Sequence, residues 1–152
     1  MSISAGISIR LSECAQPRSA VDIIKVLIDF GWNIIHDGYI SYLPFGDKDD
    51  FDWQAKRNIN FESLIKILES KEQAEETIGI IMTWKNTDIG GTFLFWSKNE
   101  LDTFSMNITV DRQKTTLTND YEITDFQWYL PKLLIPLNKV WTVEYFSFDQ
   151  HI

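Results

Sequence analysis

This 152-residue sequence predicts an α+β fold: one domain, residues 1–152, with about three helices packed on a largely antiparallel sheet. Three observations carry that expectation. Residues 77–84 (TIGIIMTW), 92–96 (TFLFW) and 101–110 (LDTFSMNITV) are rich in β-branched and aromatic residues. Gly90-Gly91 and residues 97–100 punctuate them, the pattern of an antiparallel meander. Asp37-Gly38 divides two further apolar runs and suits a type I′ hairpin turn, in which both central residues need positive φ. Three stretches of helical period fall between these strands, and a sheet of this kind needs helices to bury one face.

The elements follow in order. Ile3, Ala5, Ile7, Ile9 and Leu11 alternate with Ser2, Ser4, Gly6, Ser8 and Arg10, so the chain opens on a strand with one buried face. Ser19 with Asp22 three residues on makes a capping box, with Asp in the usual Glu/Gln position. The helix behind it carries Val21, Ile24, Leu27 and Ile28 on one stripe and stops at Gly31. The hairpin spans residues 32–36 and 39–43. A polar loop, residues 47–58 (DKDDFDWQAKRN), leads to a second helix capped by Asn58 or Asn60, with Phe61, Leu64, Ile65 and Leu68 at helical spacing. Its tail, residues 69–76, lacks an apolar stripe and is expected to be solvated. After the meander, residues 111–119 read as a polar connection and 121–123 as a short strand. Thr124 is the expected cap of a third helix with Phe126, Tyr129, Leu130, Leu133, Leu134 and Leu137 inward. Pro131 is expected to kink that helix and Pro136 to end it. Residues 141–148 form the last strand, and 149–152 are expected to fray. The order is β-α-ββ-α-βββ-(β)-α-β.

Composition bounds the function. A chain of this length buries roughly 70% of its unfolded surface and needs no metal or disulfide staple. The single Cys14 excludes an internal disulfide. No signal-peptide pattern or apolar run of membrane-spanning length is present, so a cytosolic protein is expected. The net charge of −8 argues against nucleic-acid binding, which calls for Lys and Arg to meet phosphate. Six of those eight net charges lie in two windows, residues 47–52 and 69–76, and the remainder is nearly balanced. Aromatic residues make up 14%, enough to pad a core and still leave rings for a contact surface.

Catalytic and metal signatures are not found in the sequence. His36 and His151 belong to no metal-ligand spacing, and His36 flanks a turn. Asp47, Asp49, Asp50 and Asp52 fail the calcium-loop pattern: the fifth position is Phe51, the sixth Asp52 instead of Gly, the twelfth Asn58 instead of Glu. Gly90-Gly91 has no following Lys-Ser/Thr and is no phosphate loop. Asp50 and Asp52 make a carboxylate pair, but on a loop ill-suited to hold them across a cleft. The expectation is a protein that is not an enzyme and uses no cofactor or metal.

An acidic loop with aromatics embedded can meet a basic protein, charge steering the encounter and rings anchoring it. The candidate contact residues are Asp47, Asp49, Asp50, Phe51, Asp52 and Trp53, with Glu69, Glu72, Glu75 and Glu76 of the second acidic window. The acidic loop DKDDFDW and the late segment ITDFQWYLPKLLIPLNKVWTVEYFSF resemble the immunity proteins of bacterial toxin–immunity systems, those of contact-dependent inhibition and related polymorphic toxins. The resemblance implies a protein that binds one toxin domain tightly, a basic nuclease in many such systems, and blocks its active site or holds it inactive. A monomer is expected, with neither nucleic acid nor membrane as partner. Two other readings remain open from sequence. One is a general interaction module or a homodimer joined through a sheet edge or aromatic patch. The other is a small-molecule-binding or hydrolytic protein with a pocket lined by Trp84, Trp96 and Trp128.

Overall fold

The alternating N-terminal run becomes β1 (Ser4–Leu11), and its register with its neighbours organises the molecule. The computed structural model describes residues 3–96, 102–119 and 121–152. Within them lie three helices and eleven strands, every strand pair antiparallel, in one α+β domain. The helices are α1 (Ala20–Phe30), α2 (Phe61–Gln73) and α3 (Phe126–Val140). Besides β1, the main sheet contains β2 (Trp32–Asn33), β3 (Ile35–His36), β4 (Tyr39–Tyr42), β5 (Gln54–Lys56), β6 (Ile78–Trp84), β7 (Gly90–Phe95), β8 (Thr103–Val110) and β11 (Val143–His151). Its order is β11-β1-β8-β7-β6-β4-β3, with β2 attached to β6 and β5 to β4. A separate hairpin joins β9 (Lys114–Thr118) to β10 (Tyr121–Thr124). No helix among the described residues is long and apolar enough to cross a membrane.

Directly opposed residues of antiparallel strands share a face, so the registers define rows across the sheet. One row runs Phe148, Ile7, Met106, Phe93, Ile80, Tyr42, and the next Phe146, Ile9, Phe104, Phe95, Ile78. These rows form one core with Ile23, Ile24 and Leu27 of α1, Leu64 and Leu68 of α2, and Tyr129, Leu133 and Leu137 of α3. Every member is buried except Phe146 and Phe148 at the β11 end. The opposite face of β1 and β8 carries Ser8, Arg10, Thr103, Ser105 and Asn107, none of them buried.

Several expectations hold at atomic detail. Ser19 and Asp22 make the capping box, each side chain accepting the other's backbone N–H at 3.0 Å, an arrangement that stabilises a helix start by about 1 kcal/mol. Asn60 caps α2. Asp37 and Gly38 both have positive φ, as a type I′ turn requires.

Others are corrected. Gly90 and Gly91 lie inside β7 instead of in a turn, because β6 and β8 approach so closely there that a Cβ would collide with the Met82 and Asn107 carbonyls. Trp32-Asn33 pairs with Trp84-Thr83 of β6, leaving the hairpin to β3 and β4 alone. Residues 111–119 contain the strand β9, and residues 54–56 form β5 within the supposed loop. Thr124 does not cap α3. It is buried, with its N–H and hydroxyl both donating to Gln150 Oε1 at 2.7 Å, and the helix starts after Asp125. That clasp and the pairing of His151 with Ser4 keep the C-terminal residues in β11 through His151, so they do not fray. Pro136 lies within α3 because the Lys132 carbonyl that its missing N–H would have bonded accepts the buried Trp32 indole N–H at 3.0 Å. The expected turn at residues 97–100, Leu101 at the start of the third meander strand, and Ser2 lie outside the described residues.

Candidate partner-binding surface

The acidic loop between β4 and β5 is fixed from beneath by a buried polar cluster. Lys71, on the last turn of α2, has 0% exposure, yet its ammonium is fully used. It donates to the Pro44 carbonyl at 2.7 Å, to the Asp47 carbonyl at 2.8 Å and to Glu76 Oε1 at 3.0 Å. An ammonium has three donors, so each proton has a partner and the buried charge has a counterion. Glu76 is buried as well, and the same Oε1 accepts the Gly46 N–H at 2.9 Å. Its position follows from how α2 ends: Glu76 N–H bonds the Lys71 carbonyl and Glu75 N–H bonds that of Glu72, a Schellman ending with Glu75 at φ 57°.

Asp47 continues the cluster upward. It is 6% exposed, and its carboxylate gathers three backbone N–H groups: Oδ1 accepts from Asp50 at 2.9 Å and Phe51 at 3.1 Å, Oδ2 from Asp52 at 2.6 Å. Burial pushes its carboxyl up, but those three bonds and the Lys71 charge outweigh that and hold it below the usual carboxylate range. A carboxylate so engaged turns inward and away from any cation at the surface.

The chain folded around Asp47 presents Asp49, Asp50 and Asp52 to solvent, with Phe51 between them at 44% exposure. Phe51 has φ 53°, a region that costs a bulky residue about 1–2 kcal/mol. Phe45, at 60% exposure, sits on the same loop. Trp53 is half-buried: its ring and Leu43 lie over Gly79 of β6, where a Cβ would come within 2.8 Å of each. The loop therefore rests on the sheet through Trp53 and Leu43 and shows Phe45, Phe51 and three carboxylates.

The ten acidic and aromatic candidates thus divide. Asp49, Asp50, Phe51, Asp52, Glu69 and Glu75 are exposed. Asp47 and Glu76 are buried supports, and the tail of α2 is not uniformly solvated as the sequence led us to expect. Glu72 is half-buried and accepts the Ala20 N–H at 2.8 Å, tying α2 to the first turn of α1. Burial pushes its carboxyl up, with the Ala20 N–H opposing. Sequence reasoning missed Lys71 and Phe45. Lys71 stands in an acid-rich, non-periodic helix tail and gives no sign of burial, whereas Phe45 between Pro44 and Gly46 is a readable turn aromatic.

The other candidates lie elsewhere. His36 faces Asp37 at 3.5 Å and Asp88 at 4.0 Å through different ring nitrogens, with both carboxylates well exposed. Cys14 is exposed on the connection before α1, its thiol donating to the Gln16 carbonyl. Trp84 packs on Phe30 and Trp32 and shares the Lys132 ammonium with Trp128. Trp96 follows β7 at the other end of β6, about 20 Å along the strand from Trp84, so the three tryptophans do not line one pocket. Comparison with protein-family models, curated proteins and solved structures returns no match.

Proposed function

We propose that this chain is an immunity protein that binds a cognate basic toxin domain of nuclease type and neutralises it by direct contact through residues 44–53. The observation that supports this reading is the pinned acidic loop. Lys71, Asp47 and Glu76 fix a surface on which Asp49, Asp50 and Asp52 surround the exposed, conformationally strained Phe51. A loop already ordered before contact loses little entropy on binding, and a single ring amid carboxylates supplies both an anchor and long-range attraction to a positive surface. In this reading the protein acts in the cytosol by occupying its partner, without catalysis, cofactor or metal. Glu69 and Glu75 extend the same negative field from the α2 end.

The test is kinetic. Asp49→Lys, Asp50→Lys and Asp52→Lys together should lower the association rate with the toxin by tenfold or more at low salt and flatten its salt dependence. An unchanged rate and salt dependence would put the contact face elsewhere.

A further inference from the structure

We propose that two copies of this chain pair through β11, antiparallel about a two-fold axis at Ser147, and so join two nine-stranded sheets into one. β11 is the outer strand of the sheet, bonded to β1 on one side only among the described residues. It is nine residues long (VEYFSFDQH) and contains no Pro or Lys; its carboxylates are Glu144 and Asp149, and a register shift against β1 at Glu144 leaves Tyr145–His151 as the regularly paired stretch. The opposite edge is guarded: it ends in β3 and β5, of two and three residues, with Lys56 and Arg57 beside them.

The apolar rows supply the second argument. Each crosses the sheet buried and then runs out into solvent on β11, at Phe148 with 50% exposure and Phe146 with 40%. Phe148 is stacked on Phe126 of α3 at 4.3 Å, so one side of the ring is covered and the other is left open. With Ser147 on the axis, Phe148 of one copy faces Phe146 of the other. The row that ends at Phe148 then continues into the second copy's row through Ile9, Phe104 and Phe95. No other ring placement on β11 is needed to complete both rows at once.

Charge selects a second copy as the occupant. In this register Glu144 faces Gln150 and Asp149 faces Tyr145, so no like charges oppose. Glu144 has Arg10 at 3.8 Å, a guanidinium it shares with Asp102 at 3.7 Å. The acidic windows that make the chain −8 belong to α2 and the β4–β5 loop, at the guarded edge, where they would not meet across the axis. The dimer would hold its two acidic loops apart and both free.

Light scattering should give twice the 17.8 kDa mass in the micromolar range, and Phe146→Lys with Phe148→Lys should return the monomer with an unchanged circular dichroism spectrum. A second variant tests the register without touching the core. Ser147 lies on the polar face opposite Ser8, and residues facing each other across an antiparallel pair have Cα atoms about 4.5–5.5 Å apart, within disulfide reach. Ser147→Cys, with the exposed Cys14 changed to Ser, should oxidise to a covalent dimer. Tyr145→Cys in the same background should not, since the two thiols would stand on the order of 14 Å apart. A wild-type monomer throughout the micromolar range overturns the proposal, as does a dimer that survives both Phe changes and does not cross-link at Ser147→Cys. A monomer whose β11 amides become protected from exchange only in the toxin complex also overturns it and assigns the edge to that partner.

Discussion

The two edges of the main sheet differ in length, charge and in what lies beneath them. At the β3–β5 edge the strands are two to four residues long, and the connecting loop is shaped by a buried ammonium, two buried carboxylates and the backbone groups that they hold. At the β11 edge seven residues run in regular register from Tyr145 to His151, with the rings of Tyr145, Phe146 and Phe148 and one carboxylate, Asp149. Hydrogen bonds to buried charges are directional, so the first edge fixes the backbone that carries Asp50, Phe51 and Asp52. Hydrophobic burial is non-directional, so the second edge favours coverage and takes its specificity from strand register alone. In the reading proposed above, the first edge is the one recognised in detail and the second the one that is covered.

The largest test of that contrast is to remove the charge under the loop. Lys71→Met leaves Glu76 buried beside an apolar chain and should cost about 3–5 kcal/mol in urea denaturation, with much of that recovered in the Lys71→Met/Glu76→Gln double variant. Equal losses in single and double variants would mean that packing, not pairing, is what Lys71 provides.

Asp47→Ala removes the acceptor of three backbone N–H groups and should lower the urea midpoint by less than Lys71→Met does. It should also alter the acid limb of stability. The folded carboxyl of Asp47 is held below its ordinary value of 3.8, so its contribution is present above that pH and is lost as pH falls through the folded value. In Asp47→Asn that part of the acid limb should flatten.

Phe51→Gly separates stability from function. Relief of the positive φ should raise stability by about 0.5–1 kcal/mol, while loss of the ring should speed dissociation from the toxin about tenfold. A variant that gains stability and keeps its partner would remove Phe51 from the contact. Smallest in its effect on folding is the Asp49, Asp50, Asp52 charge reversal, within about 0.5 kcal/mol, because all three side chains point to solvent.

Much of the architecture was legible because it is written in short-range patterns. The alternation of β1, the Ser19–Asp22 box and the Asp37-Gly38 turn each need only a few neighbouring residues. What escaped depends on distant partners. Pro136 is tolerated inside α3 through Trp32, and Thr124 is turned from cap to clasp by Gln150, 26 residues on. The candidate site divides the same way. Asp49, Asp50 and Phe51 could be picked out as an acidic loop with a ring, but no local signal separates Asp47 from them. Its burial depends on Lys71, 24 residues away, in a helix tail that reads as solvent-facing.

The most direct test of the central claim is co-expression with the neighbouring gene, followed by purification through this chain and through its Asp49→Lys/Asp50→Lys/Asp52→Lys variant. The account predicts a stoichiometric basic partner whose toxicity this chain relieves, retained by the wild type and lost or sharply reduced with the variant. A partner held equally by both, or a chain that emerges with nothing but itself, would contradict it.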